Sequence, residues 1–468
     1  MTEQMKKKLN DSAAVRWTAL ILISSVMFFA YMFVDVLSPL QTMLEKAPLN
    51  WTAETYGTFA GSEYFLNVFV FFLIFAGIIL DKMGVRFTGI LSAAVMVVGA
   101  SIKLYAISPL FAESNNALYT FLNSFWTSFP ATAKLASVGF MIFGCGVEMA
   151  GITVSKAIVK WFTGKELALA MGLEMAIARL GVFAVFRISP ILAENGSVTT
   201  PVAICCLLLC IGLINFILYF FMDRKLDRQI GEMNEEPEEP FKVSDIGKLF
   251  TSKTFLIVAF LCVLYYSAIF PFQKFATNML ENRLDIPSAD AAGIFSWFPI
   301  GAMVLTPLLG WFLDHKGKGA SMLMLGAILM TVCHLTFALF PLSGDTKVVA
   351  YIAIIVLGIS FSLVPAALWP SVPKLVENRY LGSAYSVIFW IQNIGLMLFP
   401  VIIGKALSFA NPGVAEAIQA GQEAAYDYTL PMLIFASLGI FAFILGIWLK
   451  AEDKKKGYGL ELPNIKKN

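Results

Sequence analysis

Two opposite charges sit inside apolar stretches of this chain at a spacing that lets them act together. Glu148 lies in GCGVEMAG, and Arg179 lies in MGLEMAIARLGVFAVFRISPIL, residues 171–192. A carboxylate accepts hydrogen bonds from an ammonium group, and a guanidinium presents a planar fork that matches a carboxylate. A ligand with both ends, such as an amino acid or a short peptide, would satisfy both residues and would be discriminated from neutral sugars. The same two residues also suit a salt bridge joining two helices, and residue type alone leaves both readings open.

The turn at Thr163–Gly164 is equidistant from Glu148 and Arg179. In an antiparallel helical hairpin that symmetry places both at one depth, about 12 positions inside their helices, or roughly 18 Å at 1.5 Å per residue. This is near the midplane of a hydrocarbon core about 30 Å thick. Charges at that depth face a protein interior or an aqueous cavity and mark substrate or ion pathways.

Composition supplies the membrane. The chain has 468 residues, 58% hydrophobic and 14% charged, with a mean hydropathy of +0.75. A soluble chain carries about a quarter charged residues. Apolar runs long enough to cross a bilayer are predicted at 17–42, 53–80, 87–108, 132–158, 167–193, 199–222, 254–279, 289–313, 320–341, 347–370, 380–409 and 428–449. They are not alternating ten-residue segments, which excludes a β-barrel. The polar stretch 223–253, with its EEPEEP run, divides them six and six. The expected organisation is a helical bundle over 1–222, a cytosolic linker over 223–253 and a second bundle over 254–468. Lys6, Lys7, Lys8 and Arg16 precede or open the first span and six lysines follow the last, whereas the outer loops hold only Lys46, Arg283 and Lys347. Both termini are therefore expected in the cytosol. The basic start reads as a tail before the first span, not as a cleaved signal.

Several function classes drop out. The six cysteines lie in apolar runs, and His315 and His334 have no metal-ligand partners at recognisable spacing, so neither a disulfide framework, a metal nor a cofactor is expected. No basic stripe with interleaved aromatics suggests nucleic acid. No nucleophile–base pair sits at matched depth, which argues against an enzyme. No soluble signalling domain supports a sensor or scaffold.

Internal repeats point to a duplicated architecture. GIILDKMGVR (77–86) and GWFLDHKGKG (310–319) share G-x-x-x-D-x-x-G at the inner ends of the second and eighth spans, placing Gly77, Asp81, Gly84 and Arg86 opposite Gly310, Asp314 and Gly317. The glycines allow close helix approach, and an aspartate at a neighbouring helix N-terminus would hold the cytosolic side shut. GKELALAMGLEMAIARLG (164–181) aligns with NRYLGSAYSVIFWIQNIG (378–395), pairing Arg179 with Asn393 and Glu148 with Ser362. One half carries charge where the other carries neutral polar groups. The paired G-x-x-x-D-x-x-G motifs resemble the loop signature of the major facilitator superfamily. That resemblance implies an all-α membrane protein with twelve helices in two pseudo-symmetric six-helix bundles.

A narrower resemblance rests on YMFVDVLSPLQ (31–41), WFTGKELALAMGLEMAIARLG (161–181), LYYSAIFPF (264–272), PLLGWFLDHKGK (307–318), ALWPSVPKLV (367–376) and LGSAYSVIFWIQNIGL (381–396). These are similar to the major facilitator superfamily domain-containing protein 1 family, whose animal member transports dipeptides across the lysosomal membrane. The resemblance implies facilitated diffusion of dipeptides, with the peptide amino group at Glu148, its carboxylate at Arg179, and Trp369 at the site. The chain departs from the family in reading Gly146-Val147 before Glu148, where the animal protein has a glycine pair. Further polar residues within the spans complete the expected substrate site: Tyr31 and Asp35 in the first, Tyr265 in the seventh and Asn393 in the eleventh. Glu174 reads as a gate partner on the cytosolic side, and Arg187 and Lys103 as residues snorkelling at the outer face. A monomer in a bacterial cell membrane is expected, with a lysosomal membrane as the alternative. The runner-up function is proton-coupled symport or antiport of small carboxylates or other organic anions.

Overall fold

The computed structural model describes residues 8–114, 116–194, 197–230, 249–377 and 381–463. Eleven of its helices are long and apolar enough to cross a membrane. One of them, Phe72–Ile107, holds parts of two crossings. Gly84 sits inside it at φ 75° and ψ 170°, a pair no helix allows, so the chain reverses there. The second crossing is consequently built from Ala53–Ser62, Phe65–Phe69 and residues 72–83.

Among the described residues the twelve transmembrane elements are α1 (Ala13–Asp35), α2 (the three pieces just given), α3 (residues 85–107), α4 (Ala131–Phe162), α5 (Leu167–Ala193), α6 (Thr199–Ile230) and α7 (Lys253–Leu284). They continue as α8 (Ser288–Phe295 and Trp297–Lys316), α9 (Gly319–Leu339), α10 (Lys347–Ala367), α11 (Leu381–Ala410) and α12 (Thr429–Lys456). α6 runs into the stretch read as a linker, and residues 231–248 of that stretch lie outside the described residues. Prolines within α5, α7, α8, α10 and α11 are accommodated because neighbouring helices re-satisfy the freed backbone groups.

Within the first half α3 packs on α4, and α1 on α5 and α6. Within the second, α9 packs on α12, α8 on α10, and α7 on α11 and α12. The halves meet where α2 crosses α11 and α5 crosses α8. Here the inner face is the one carrying both termini. At the outer end of the α2–α11 crossing, backbones touch: a Cβ added to Gly57 would fall 2.2 Å from the Pro400 carbonyl oxygen, and one on Gly61 2.3 Å from that of Met397. Gly57 and Gly61 form a G-x-x-x-G pair that sets this approach.

The inner ends of the same helices diverge. In α8, residues 291–299 are mostly buried, whereas Leu308 and Trp311 are 59% and 63% exposed. Gly77 and Gly310 have open space where a Cβ would be. The closest backbone contacts between the halves thus lie at the outer end. Close helix approach, expected at the inner glycine motifs, occurs in this conformation at Gly57 and Gly61 instead.

Candidate functional site

The α4–α5 hairpin turns as its sequence requires, with α4 ending at Phe162 and Gly164 at φ 75°. Its GKEL segment is pinned to the N-terminal arm. Arg16 donates to both carboxylate oxygens of Glu166, at 3.0 and 2.7 Å, and Lys165 pairs with Asp11 at 2.9 Å. These hydrogen bonds hold both carboxyls below their ordinary values.

Glu148 and Arg179 are both half-buried and, with Tyr31, face the second half across the space between the halves, yet they do not pair. Among the described residues neither enters an ion pair, which removes the structural salt bridge as an account of them in this conformation. Instead, the Glu148 carboxylate faces the Asn393 amide of α11, from the other half. The Arg179 guanidinium lies over the Phe361 ring, with Cζ 5.3 Å from the centroid, and its Nη1 is buried without a hydrogen-bond partner. The Tyr31 hydroxyl faces Glu174, Glu148 and Arg179. A guanidinium over an aromatic face is partly compensated by the ring quadrupole but keeps its in-plane donors free for an anion.

The second half supplies an aromatic wall. Trp369 Nε1 donates to the Tyr266 hydroxyl at 3.3 Å, and its ring stacks on Phe389 with centroids 4.8 Å apart. Tyr266 packs edge-on against Phe361. Tyr385 donates to the Trp369 carbonyl at 3.3 Å. Tyr266, not Tyr265, faces Arg179 and Tyr31. Tyr265 is fully buried and donates to the Leu323 carbonyl of α9, so it braces the bundle.

Asp35 is also withdrawn from the cavity. It accepts from Gln273 at 2.5 Å, Lys274 at 3.0 Å and Ser38 at 3.0 Å, and is 1% exposed. Gln273 and Lys274 belong to α7, so Asp35 fastens the two halves. Lys274 also reaches Glu63 at 3.7 Å and donates to the Val34 carbonyl at 3.0 Å. Lys103 completes this buried cluster. It does not snorkel: it is fully buried against the rings of Phe140 and Phe33, at 4.3 and 4.4 Å. Two carboxylates thus meet two ammonium groups, which permits burial. Arg187 likewise joins the halves, donating to Ser296 of α8 at 3.0 Å. Lys274 was detectable in the sequence by the test that finds Arg179, as a charge inside an apolar span.

The inner motifs are occupied within their own halves. Asp81 pairs with Lys156 of α4 at 2.9 Å, and Arg86 with Asp227 of α6 at 3.2 Å. In the second half Asp314 faces Lys374. The loop at Gly317 is covered by the C-terminal segment, where Lys318 and Gly319 donate to the carbonyls of Glu461 and Leu460. The Glu461 carboxylate accepts from the Ser321 amide at 2.7 Å, capping α9.

Comparison with known sequences and structures assigns the class. The Major Facilitator Superfamily profile matches residues 23–400, and the chain belongs to that superfamily. Within it, the chain is similar to the proteins named lysosomal dipeptide transporter MFSD1. It is 27% identical to the human protein over 84% of this chain and 80% of the relative, and 29% identical to the zebrafish (Danio rerio) protein over 73% and 70%. Among solved structures, a bacterial homolog of the human lysosomal transporter Spinster, inward-facing and unoccupied, superposes with a TM-score of 0.69 at 13% identity, covering 95% of this chain and 98% of that one. PepTSo2 superposes with a TM-score of 0.63 at 16% identity over 95% and 99%. These last two likenesses concern the fold. The protein is a multi-pass membrane transporter of the major facilitator fold.

Proposed function

We propose that this protein moves dipeptides by alternating access, with Arg179 holding the substrate carboxylate and Glu148 its amino group. The observation that carries the reading is the pair of opposite charges that both face Tyr31 without neutralising each other, the Arg179 Nη1 having no hydrogen-bond partner. A zwitterion satisfies both, and the dipeptide transport for which the relatives are named supports a peptide backbone between the two charges. Residues 1–222 and 254–468 are the two moving bodies, and residues 223–253 the tether. The inner motifs Asp81–Lys156 and Asp314–Lys374 hold each body rigid at the inner face, which on this reading is cytosolic. The working unit is a monomer, and transport is facilitated diffusion. The membrane is the bacterial cell membrane, with the lysosomal membrane as the alternative.

The test is uptake into proteoliposomes across a dipeptide library, with and without a pH gradient. Saturable uptake of free dipeptides, lost when both termini are capped and unchanged by the gradient, is the expected result. Uptake of small carboxylates driven by the gradient would replace this reading with proton-coupled anion transport.

A further inference from the structure

The outer face holds a second cavity, of about 890 Å³, between the segment after α1 and two parts of the other half, the end of α7 and the α11–α12 loop. Glu45, Glu281, Asp285 and Glu423 line it against one cation, Lys46. Glu45 is only 1% exposed. One of its oxygens accepts from Gln41 at 3.4 Å, while Oε2 is buried without a hydrogen-bond partner. Among the described residues no cation pairs with it. From the α11–α12 loop the Tyr426 hydroxyl, itself buried, faces it, with Glu416 beyond. From α7 the charge facing it is Glu281, which accepts from Thr42 at 2.7 Å and takes the influence of Lys46.

A carboxylate stripped of water with no cation at hand keeps its proton. Burial accordingly pushes Glu45 from an ordinary 4.5 to about 8. This burial exists only while the outer ends touch. Thr42 and Pro39 are bridged to the other half by Glu281, by Asn278 at 2.8 Å and by Ser288 at 2.9 Å. Opening the outer face separates Glu45 from the α7 and α11–α12 groups that bury it and returns it to water.

We propose that Glu45 is a proton-binding site on the outer face, taking up one proton each time that face closes, so that pH on that side sets the balance between the two orientations of the transporter. The closed face binds the proton more tightly than the open one. Its advantage is therefore complete below about 4.5 and is lost as pH rises through about 8. Between these limits the closed-to-open ratio falls about tenfold per pH unit. Glu45 exchanges with the outer side in both orientations, so the site biases the cycle without coupling it to net proton movement. The site acts in the same way whatever substrate the protein carries.

Paired spin labels at Leu118→Cys and Ala420→Cys, on a background lacking reactive native cysteines, report the outer separation in nanodiscs from pH 5 to 9. The expected result is a growing outward-open population with rising pH, absent in Glu45→Gln, which stays closed. A wild-type protein without this dependence, or Glu45→Gln retaining it, overturns the proposal. Glu281→Gln provides a second arm if Glu45→Gln fails to fold. Removing the facing negative charge should move the transition to lower pH, and an unmoved transition also overturns the proposal.

Discussion

The cavity wall contributed by α1, α4 and α5 carries Tyr31, Glu148, Glu174 and Arg179, whereas the wall from α7, α10 and α11 carries Tyr266, Phe361, Trp369, Tyr385 and Asn393. The two walls align in sequence, Arg179 with Asn393 and Glu148 with Ser362. Ser362 has turned its hydroxyl onto the Gly358 carbonyl of its own helix, at 2.7 Å, and offers nothing to a ligand. The backbone scaffold was kept while the chemistry separated. Concentrating charge on one body has a mechanical consequence under alternating access. A charged ligand stays with the half that binds it, and the other half moves across it as an uncharged, largely aromatic surface. No charge has to be desolvated afresh during the swing, a step that would cost several kcal/mol per ion.

The largest expected effect comes from removing the fork. Arg179→Gln should lower dipeptide uptake (kcat/KM in proteoliposomes) by about 30- to 150-fold, the equivalent of roughly 2–3 kcal/mol for a charged hydrogen-bonding group. Arg179→Lys should recover only part of it, since an ammonium lacks the bidentate geometry. The comparison breaks if Asn393→Arg restores uptake on the Arg179→Gln background, because the charge would then work equally well on the opposite wall. The next effect is at Glu148. Glu148→Gln should cost about 10- to 50-fold for free dipeptides, near 1.5–2.5 kcal/mol. Capping the substrate sharpens the assignment. An N-acetyl dipeptide should be insensitive to Glu148→Gln, and a C-amide insensitive to Arg179→Gln. The opposite pattern would reverse the two jaws.

Much of this wall was legible in the sequence because a charge inside an apolar span is conspicuous, and hairpin symmetry then gives its depth. The aromatic wall was less legible. α7 is apolar around most of its circumference, so no moment tells which of Tyr265 and Tyr266 faces inward, and consecutive residues point about 100° apart on a helix. Asp35 could be seen as buried, but its partner Lys274 lies across the other half of the chain. Only the packing of residues 38–40 against α7, with Gln273 and Lys274 on the carboxylate, shows that it fastens the outer end. The break of the second crossing into three pieces was likewise hidden, since Phe71 adopts φ 54° in an unbroken apolar run.

The smallest expected effects lie on the aromatic wall. Trp369→Ala removes the ring that stacks on Phe389 and donates to Tyr266, and an aromatic contact contributes about 0.5–1.5 kcal/mol beyond its buried area. KM should therefore rise about 2- to 12-fold, most for dipeptides with large side chains and least for glycylglycine. Tyr266→Phe keeps the ring and removes only the hydroxyl that accepts from Trp369, so its effect should fall below that of Trp369→Ala and be nearly uniform across side chains. Uptake measured over a series of second residues separates these outcomes. A Trp369→Ala loss equal for glycylglycine and for bulky dipeptides would mean that Trp369 positions the termini, which would give the second half a share in charge recognition and erase the division of labour between the walls.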